Sequence, residues 1–342
     1  MRSLLRIVMA LIVVAAAAAA LIAWRTHVWL QTPIAGLHET ATFEVEKGAS
    51  LRTVAMQLNQ RGWLDQPDVW IVWARLTQRQ GGLKAGEYAL APGATPRSLL
   101  DTLSSGQVIL HGVTFIEGAR FADIRKLMTA DESIAQTLSG KDSAEVMRSL
   151  GADGIHPEGQ FFPDTYRFPR GTSDLDLLRM AYRRMQGELE AAWESRAADL
   201  PLATKYEALI LASIIEKETA LDSERAKIGG VFIERLKRGM RLQTDPTVIY
   251  GIENYDGNIR RVDLLRDTPY NTYTRSGLPP TPIALPGSRS LQAAVRPEMT
   301  GALFFVATGK GDGSHYFSAT LAEHNAAVQR YLRQLRQQQT AK

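Results

Sequence analysis

The chain opens on an uncharged apolar stretch from Ile7 to Trp24, preceded by Arg2 and Arg6 and followed by Arg25 and the aromatic Trp29. A run of that length spans the ~30 Å of bilayer hydrocarbon, so the pattern predicts a transmembrane helix over 7–24. A cleavable signal peptide is the rival reading, because the alanine run contains A-x-A sites. Against it, Leu21, Ile22, Ala23 and Trp24 carry the apolar run past the alanines without a small-residue break. On either reading the two arginines place residues 1–6 in the cytoplasm and the bulk of the chain on the other side.

After a polar linker over 25–41 the period changes. Phe43 and Val45 alternate with polar residues as in a strand, Lys47-Gly48 marks a turn, and Leu51, Val54, Ala55 and Leu58 recur at helical spacing. A second helix is predicted over Val69 to Leu76. "GEYALAPGATPRSLLDTLSSG" then reads as strand, Pro-Gly turn and helix up to Gly106. Strand, helix, helix, strand over 42–107 resembles a LysM-like module, a fold that elsewhere binds the N-acetylglucosamine backbone of peptidoglycan or chitin. Any small α+β packing unit gives the same pattern.

Residues 108–200 begin with the strand "QVILHGVTFIEG" and the helix "FADIRKLM". They become irregular through "GADGIHPEGQFFPDTYRFPRGTS" and return to helical periodicity over Asp174 to Arg196. In 201–342 a capping box at Thr204 to Glu207 starts a helix ending near Glu218. A second box at Thr219 to Asp222 starts another that runs to about Arg238. The expected fold class is α+β: one N-terminal transmembrane helix, a LysM-like α+β module, and a C-terminal mixed α/β region over 108–342.

Composition narrows the chemistry. At 342 residues, 45% hydrophobic and 22% charged, this is ordinary globular material with room for about two or three domains. The formal charge of +4 comes with no basic run of the kind that marks nucleic-acid binding. There is no cysteine, which removes disulfides, thiolate metal sites and a Cys nucleophile. H-E-x-x-H, G-x-S-x-G and P-loop motifs are absent, and "GKGDG" at 309–313 lacks dinucleotide-site spacing. His156, His315 and His324 are scattered, so neither metal nor cofactor is expected. Carboxylate chemistry remains.

Two glutamates close the aliphatic run "LILASIIEKET". Residues two apart on a helix diverge by ~200°, so Glu216 and Glu218 cannot share one site. Leu211, Ile214 and Ile215 precede Glu218 at helical spacing, whereas Leu209, Ala212 and Ser213 lie behind Glu216. A carboxyl beside apolar surface is desolvated and its pKa rises, which suits a general acid at neutral pH. Glu218 is therefore the acid candidate; a helix-end glutamate in a salt bridge gives the same pattern. Further on, "LQTDPTVIYG", "YNTYTRSGLPPTPIALPG" and "HYFSATLAEHN" place Asn-, Thr- and Tyr-rich loops between apolar segments, as in clefts that hold hydroxyl- and amide-rich ligands.

Together with "EGQFFPDTYRF" and "ILASIIEKET", these motifs follow in an order that resembles the YceG-like family of endolytic murein transglycosylases, over nearly all of residues 1–340. The resemblance implies cleavage of the β-1,4 bond between MurNAc and GlcNAc within peptidoglycan strands, with the C6 hydroxyl of the same MurNAc attacking C1 to leave a 1,6-anhydro end. It implies a role in ending strand elongation. Glu218, the second glutamate of "EKE", matches the family's catalytic residue, and one carboxyl suffices because it first donates and then accepts a proton. Gln243, Thr244, Asp245, Asn271 and Tyr273 are similar to cleft residues; Asp245 reads equally as a turn residue fixed by Pro246. Glu158, Asp164 and Glu216 stand as supporting residues, the first two ordering a loop over the site or capping it. The implied partners are peptidoglycan glycan strands and peptidoglycan synthases, at the inner membrane with the catalytic region in the periplasm. A non-catalytic glycan-binding scaffold is the alternative.

Overall fold

The computed structural model describes residues 2–79 and 81–340. The chain forms two compact units, one reaching to His111 and including Phe168–Gly171, the other made of Gly112–Arg167 and the chain from Thr172 onward. The architecture is mixed α+β and dominated by helices, with strands in pairs among the described residues.

The first unit contains α1 (Arg2–Gln31), β1 (Ala41–Val45), α2 (Leu51–Gln60), α3 (Pro67–Leu76), β2 (Gly86–Leu90) and α4 (Pro96–Ser105). Helix α1 is apolar enough to cross a membrane, and its most apolar window is not buried in protein. It also corrects the expected linker. The segment "RTHVWLQ" carries no glycine or proline, so the helix continues to Gln31, and Leu30 enters the core of the unit at 5% exposure. Strands β1 and β2 pair antiparallel, Ala41 opposite Leu90 and Val45 opposite Gly86. Their inward residues Phe43, Val45, Tyr88 and Leu90 meet the apolar faces of α2, α3 and α4. Trp70 is fully buried and donates its indole N–H to the Pro96 carbonyl at 2.7 Å, so its one polar atom is satisfied.

The second unit takes up the larger parts of β3 (Leu110–Thr114) and β5 (Thr165–Pro169), with α5 (Phe121–Thr129), β4 (Ile134–Ala135), α6 (Ser143–Ser149), β6 (Thr172–Ser173) and α7 (Asp174–Glu194). It continues with α8 (Lys205–Glu218), α9 (Asp222–Lys237), α10 (Asp245–Tyr250), α11 (Arg261–Leu265) and α12 (Ser288–Val295). The hairpin β7 (Phe304–Ala307) and β8 (His315–Ser318) and the helix α13 (Leu321–Thr340) complete it. Helix α8 is its axis: Ala208 through Ile215 are all buried, and α7, α9, α10 and α12 pack around them. A helix apolar on every side has to lie inside a core.

Caps set the ends of α8. The Thr204 hydroxyl accepts from the Glu207 N–H at 3.2 Å, but the Glu207 carboxylate reaches back to the Ala203 N–H at 2.6 Å, one residue before the expected reciprocal partner. The second predicted box does not form: the Thr219 hydroxyl accepts from the Leu221 N–H at 3.0 Å, and α9 starts at Asp222 without a side-chain cap. Thr219 takes an extended conformation, which stops α8 directly after Glu218.

Helix α9 approaches its neighbours through Gly229 and Gly230. A Cβ at position 230 would lie 2.1 Å from the Glu298 carbonyl oxygen, and one at 229 would lie 2.5 Å from that of Ala293. Gly230→Ala is therefore expected to destabilise the second unit by ~1–3 kcal/mol or more, although alanine is the better helix former. Thermal melting of the variant checks this.

Candidate active site

Because α8 ends at Glu218, that carboxyl emerges just past the fully buried Leu211, Ile214 and Ile215. The Thr244 hydroxyl donates to Glu218 Oε1. Thr244 is itself fixed from behind: its N–H donates to Thr272 Oγ1 at 3.1 Å, and the Thr247 hydroxyl donates to its carbonyl at 2.8 Å. Thr247 and Thr272 share a hydroxyl contact of 2.9 Å, so two buried threonines fix the backbone from which the Thr244 hydroxyl meets the acid. Gln243 sits at φ +52°, a left-handed conformation costing on the order of 1 kcal/mol for a side-chain-bearing residue. The Gln243 N–H donates to the Thr272 carbonyl, and Arg235 Nη1 donates to Gln243 Oε1 at 3.3 Å; both keep the loop in place.

These residues open on a cavity of ≈ 490 Å³, whose polar wall is Glu218, Arg235, Gln243, Thr244, Asp245 and Tyr273. Facing it are Phe304 and Phe305 from β7 with Leu321, His324 and Asn325 from α13. Burial raises the Glu218 pKa to about 7, the charge of Asp245 adds to the rise, and the Thr244 hydrogen bond opposes it. The Tyr273 hydroxyl donates to Asp245 Oδ1 at 2.6 Å, and burial followed by that bond raises the tyrosine pKa. His324 stacks on Phe304 at 5.1 Å between ring centroids. Burial, then the neighbouring Arg235 charge, lowers its pKa, leaving a neutral ring. The cavity thus presents a carboxyl that is substantially protonated at pH 7, held by a hydroxyl and flanked by a second acid.

The other candidates separate clearly. Asn271 is fully buried; its amide nitrogen donates to the carbonyls of Asp263, Leu264 and Arg266, and its oxygen accepts from the Tyr273 N–H at 2.9 Å. Asn271 thus shapes the loop that carries Thr272 and Tyr273 and is not among the residues lining the cavity. Glu216 points away from Glu218, as the helix geometry requires, with its side chain 4% exposed. It pairs with Arg225 at 3.2 Å and accepts from Gly287 N–H and Ser290 Oγ at 3.0 and 2.7 Å. The salt-bridge reading considered for Glu218 belongs to Glu216. Glu158 is buried and its pKa is raised to about 7 by that burial, yet both oxygens are taken, by Phe121 N–H and Tyr250 OH. Asp164 pairs with Arg184. Neither lines the cavity. Arg235, His324 and Asn325 do line it and carried no assigned role; "AEHN" stood within a quoted motif, whereas Arg235 lies on an ordinary-looking helix.

The YceG-like family model matches residues 43–330, a span that contains the acid, the threonines behind it and the opposing α13 wall. This chain belongs to the YceG-like family. It is 30% identical over 310 residues to a Bacillus subtilis (strain 168) protein named endolytic murein transglycosylase, covering 86% of this chain and 85% of that one. A protein of the same name from Streptococcus pneumoniae (serotype 2, strain D39) is 25% identical over 321 residues; the match covers 84% of this chain and 57% of that longer relative. Among solved structures, a crystal structure of a YceG-like protein from Listeria monocytogenes superposes with a TM-score of 0.53 at 28% identity, covering 84% of this chain and 99% of that one. As in any YceG-like chain, the chemistry has to be argued from the side chains at the site.

Proposed function

We propose that this YceG-like protein is an endolytic murein transglycosylase, cutting MurNAc–GlcNAc β-1,4 bonds within peptidoglycan strands, with Glu218 as its acid and then its base. The observation that carries the reading is the Glu218 carboxyl at the end of α8, its pKa raised by burial and its oxygen held by the Thr244 hydroxyl, in a cavity lined by amide, hydroxyl and aromatic groups. In the first half of the reaction Glu218 donates its proton to the glycosidic oxygen as the C1–O bond breaks. Asp245, with its charge beside the site, stabilises the positive charge developing at C1 and the ring oxygen. In the second half the Glu218 carboxylate takes the proton of the MurNAc C6 hydroxyl as that oxygen closes on C1. No water enters, the proton balance is zero, and the product is a 1,6-anhydro end. Gln243 and Tyr273 supply amide and hydroxyl contacts to the sugar.

Because Glu218 and Asp245 line one cavity, a second reading follows: a hydrolase in which Asp245 activates water opposite the acid. The engagement of Asp245 by the Tyr273 hydroxyl favours the first reading, since that bond disfavours its use as a base.

The pH dependence follows from the sign of the shift. Glu218 is active while protonated, so the rate should be highest below about 7 and fall about tenfold per pH unit above it. A rate–pH profile on purified glycan strands checks this, and a rate still rising past pH 8 would contradict the assignment.

The anchor reading of α1 places its N-terminus in the cytoplasm and the chain beyond the apolar run in the periplasm, supported by Arg2 and Arg6 before that run. The strand, helix, helix, strand order of the first unit supports the LysM-like reading and glycan strands as its ligand. Peptidoglycan synthases are the partners this activity implies.

A further inference from the structure

Helix α3 carries an apolar face that the fold leaves uncovered. Val72 and Leu76 are 55% and 79% exposed, although Trp70, Ile71 and Ala74 on the same helix are buried in the core of the unit. The uncovered face is one wall of a groove of ≈ 750 Å³, formed on this side by Val69, Val72, Trp73 and Leu76. The opposite wall is α1 itself, from Ala19 to Leu30, and the groove turns polar at its outer end, where Thr26 and His27 of α1 and Asp68 of α3 line it. The indole N–H of Trp29 donates to Asp65 Oδ1 at 2.7 Å, which pins the N-terminal end of α3 near the outer end of α1. From there ten helical residues of α3 run alongside the α1 wall, a distance of ~15 Å, matching the ~16 Å from Leu30 back to Ala19. Leu76 therefore lies towards Ala19 and Ile22.

Ala19, Ile22 and Ala23 belong to the apolar run that ends at Trp24, so this part of α1 has lipid around it if α1 spans the bilayer. We infer that the α1–α3 groove is a lipid site, filled by an acyl chain of the outer leaflet, and that α3 inserts its Val72–Leu76 face into the same leaflet. The inference rests on the anchor reading of α1. Continuity decides the occupant: Ala19, Ile22 and Ala23 belong both to the apolar run and to the groove wall that Leu76 shares, so lipid around this part of α1 lies against the groove. Charge agrees with it. Arg25, the first residue beyond the apolar run, is exposed at the level where phosphate headgroups lie, and Arg75, in the last turn of α3 and deeper, is exposed with a stem long enough to carry its guanidinium up towards that level. Trp73, held at 5.9 Å by the Arg79 guanidinium, presents an aromatic of the kind that settles at this boundary. The first unit would thus be fixed against the bilayer by two helices.

The native chain has no cysteine, so single-cysteine variants of the full-length protein report one position each. Val72→Cys, Leu76→Cys, Val13→Cys in the α1 span and Met56→Cys at an exposed position of α2 are spin-labelled in vesicles of phosphatidylethanolamine and phosphatidylglycerol. Collision with oxygen is then compared with collision with a water-soluble nickel chelate. The expected result is an oxygen-to-nickel ratio at 72 and 76 several-fold above that at 56 and approaching that at 13. Labels at 72 and 76 behaving like 56 while 13 stays in lipid would overturn the lipid site and leave the anchor standing. Labels at 72 and 76 reached by neither collider would show a protein surface, such as a second copy, in the groove and overturn it equally. A water-exposed label at 13 would remove the anchor reading itself.

Discussion

Glu218→Gln should fold and yet lose more than ~100-fold in cleavage of glycan strands, the lower end of what a general acid contributes. Glutamine keeps the shape and an oxygen for the Thr244 hydroxyl, but it has no proton to give to the leaving oxygen and cannot take one from the C6 hydroxyl. The same variant should gain stability at alkaline pH. The native carboxyl titrates at 4.5 when unfolded and at about 7 when folded. Its contribution is therefore fully present below pH 4.5 and is lost as pH rises through about 7. Relief of that penalty amounts to on the order of 1–3 kcal/mol, read as a higher melting temperature of the variant than of the parent at pH 8. A variant that is inactive because it is unfolded would fail this second readout. A variant that cuts at the parental rate would remove Glu218 from the role of general acid.

Glu216→Ala should do the reverse. Breaking a buried ion pair by removing one partner costs about 3–5 kcal/mol, because the remaining charge stays buried. Arg225 is 7% exposed, its Nε and Nη1 already make no hydrogen bond, and its other acidic neighbours, Asp222 and Glu117, stand at 3.6 and 4.0 Å. The Gly287 N–H and Ser290 hydroxyl at the start of α12 would lose their acceptor as well. A large drop in melting temperature is expected, together with a cleavage rate per folded molecule close to the parent's. Glu216→Gln, which keeps an acceptor for Gly287 or Ser290, should fall between. If Glu216→Gln folded as well as the parent and were catalytically dead, the assignment of the two helix faces would be reversed.

The two glutamates show where sequence reasoning succeeds and where it stops. The ~200° divergence and the Leu211, Ile214, Ile215 stripe are local properties of one helix, so the raised pKa of Glu218 was legible before any tertiary structure. The identity of the salt-bridged glutamate was not, because Arg225 lies on the next helix and reaches back across a turn whose capping pattern misled. The "LQTDPT" loop was legible as cleft material through its composition. Asn271 had the same composition signal, but its amide is consumed by three backbone carbonyls, and nothing in "YNTY" distinguishes an amide that binds a ligand from one that builds a loop. Arg235 and His324 enter the cavity from α9 and α13. Their approach to Glu218 depends on how the helices pack around α8, and residue type alone does not encode it. In the first unit the strands and helices followed from periodicity. The continuation of α1 to Gln31 did not, since its polar residues read as linker until Leu30 is seen in the core.

The central claim is that one carboxyl performs the whole reaction without water. Full-length protein digesting purified glycan strands in ¹⁸O-labelled water, followed by mass spectrometry of the new ends, tests it most directly. The account predicts ends lighter than hydrolysed ones by one water and free of label, and their disappearance in Glu218→Gln. Reducing ends carrying ¹⁸O would contradict it and place water, activated by Asp245, at C1.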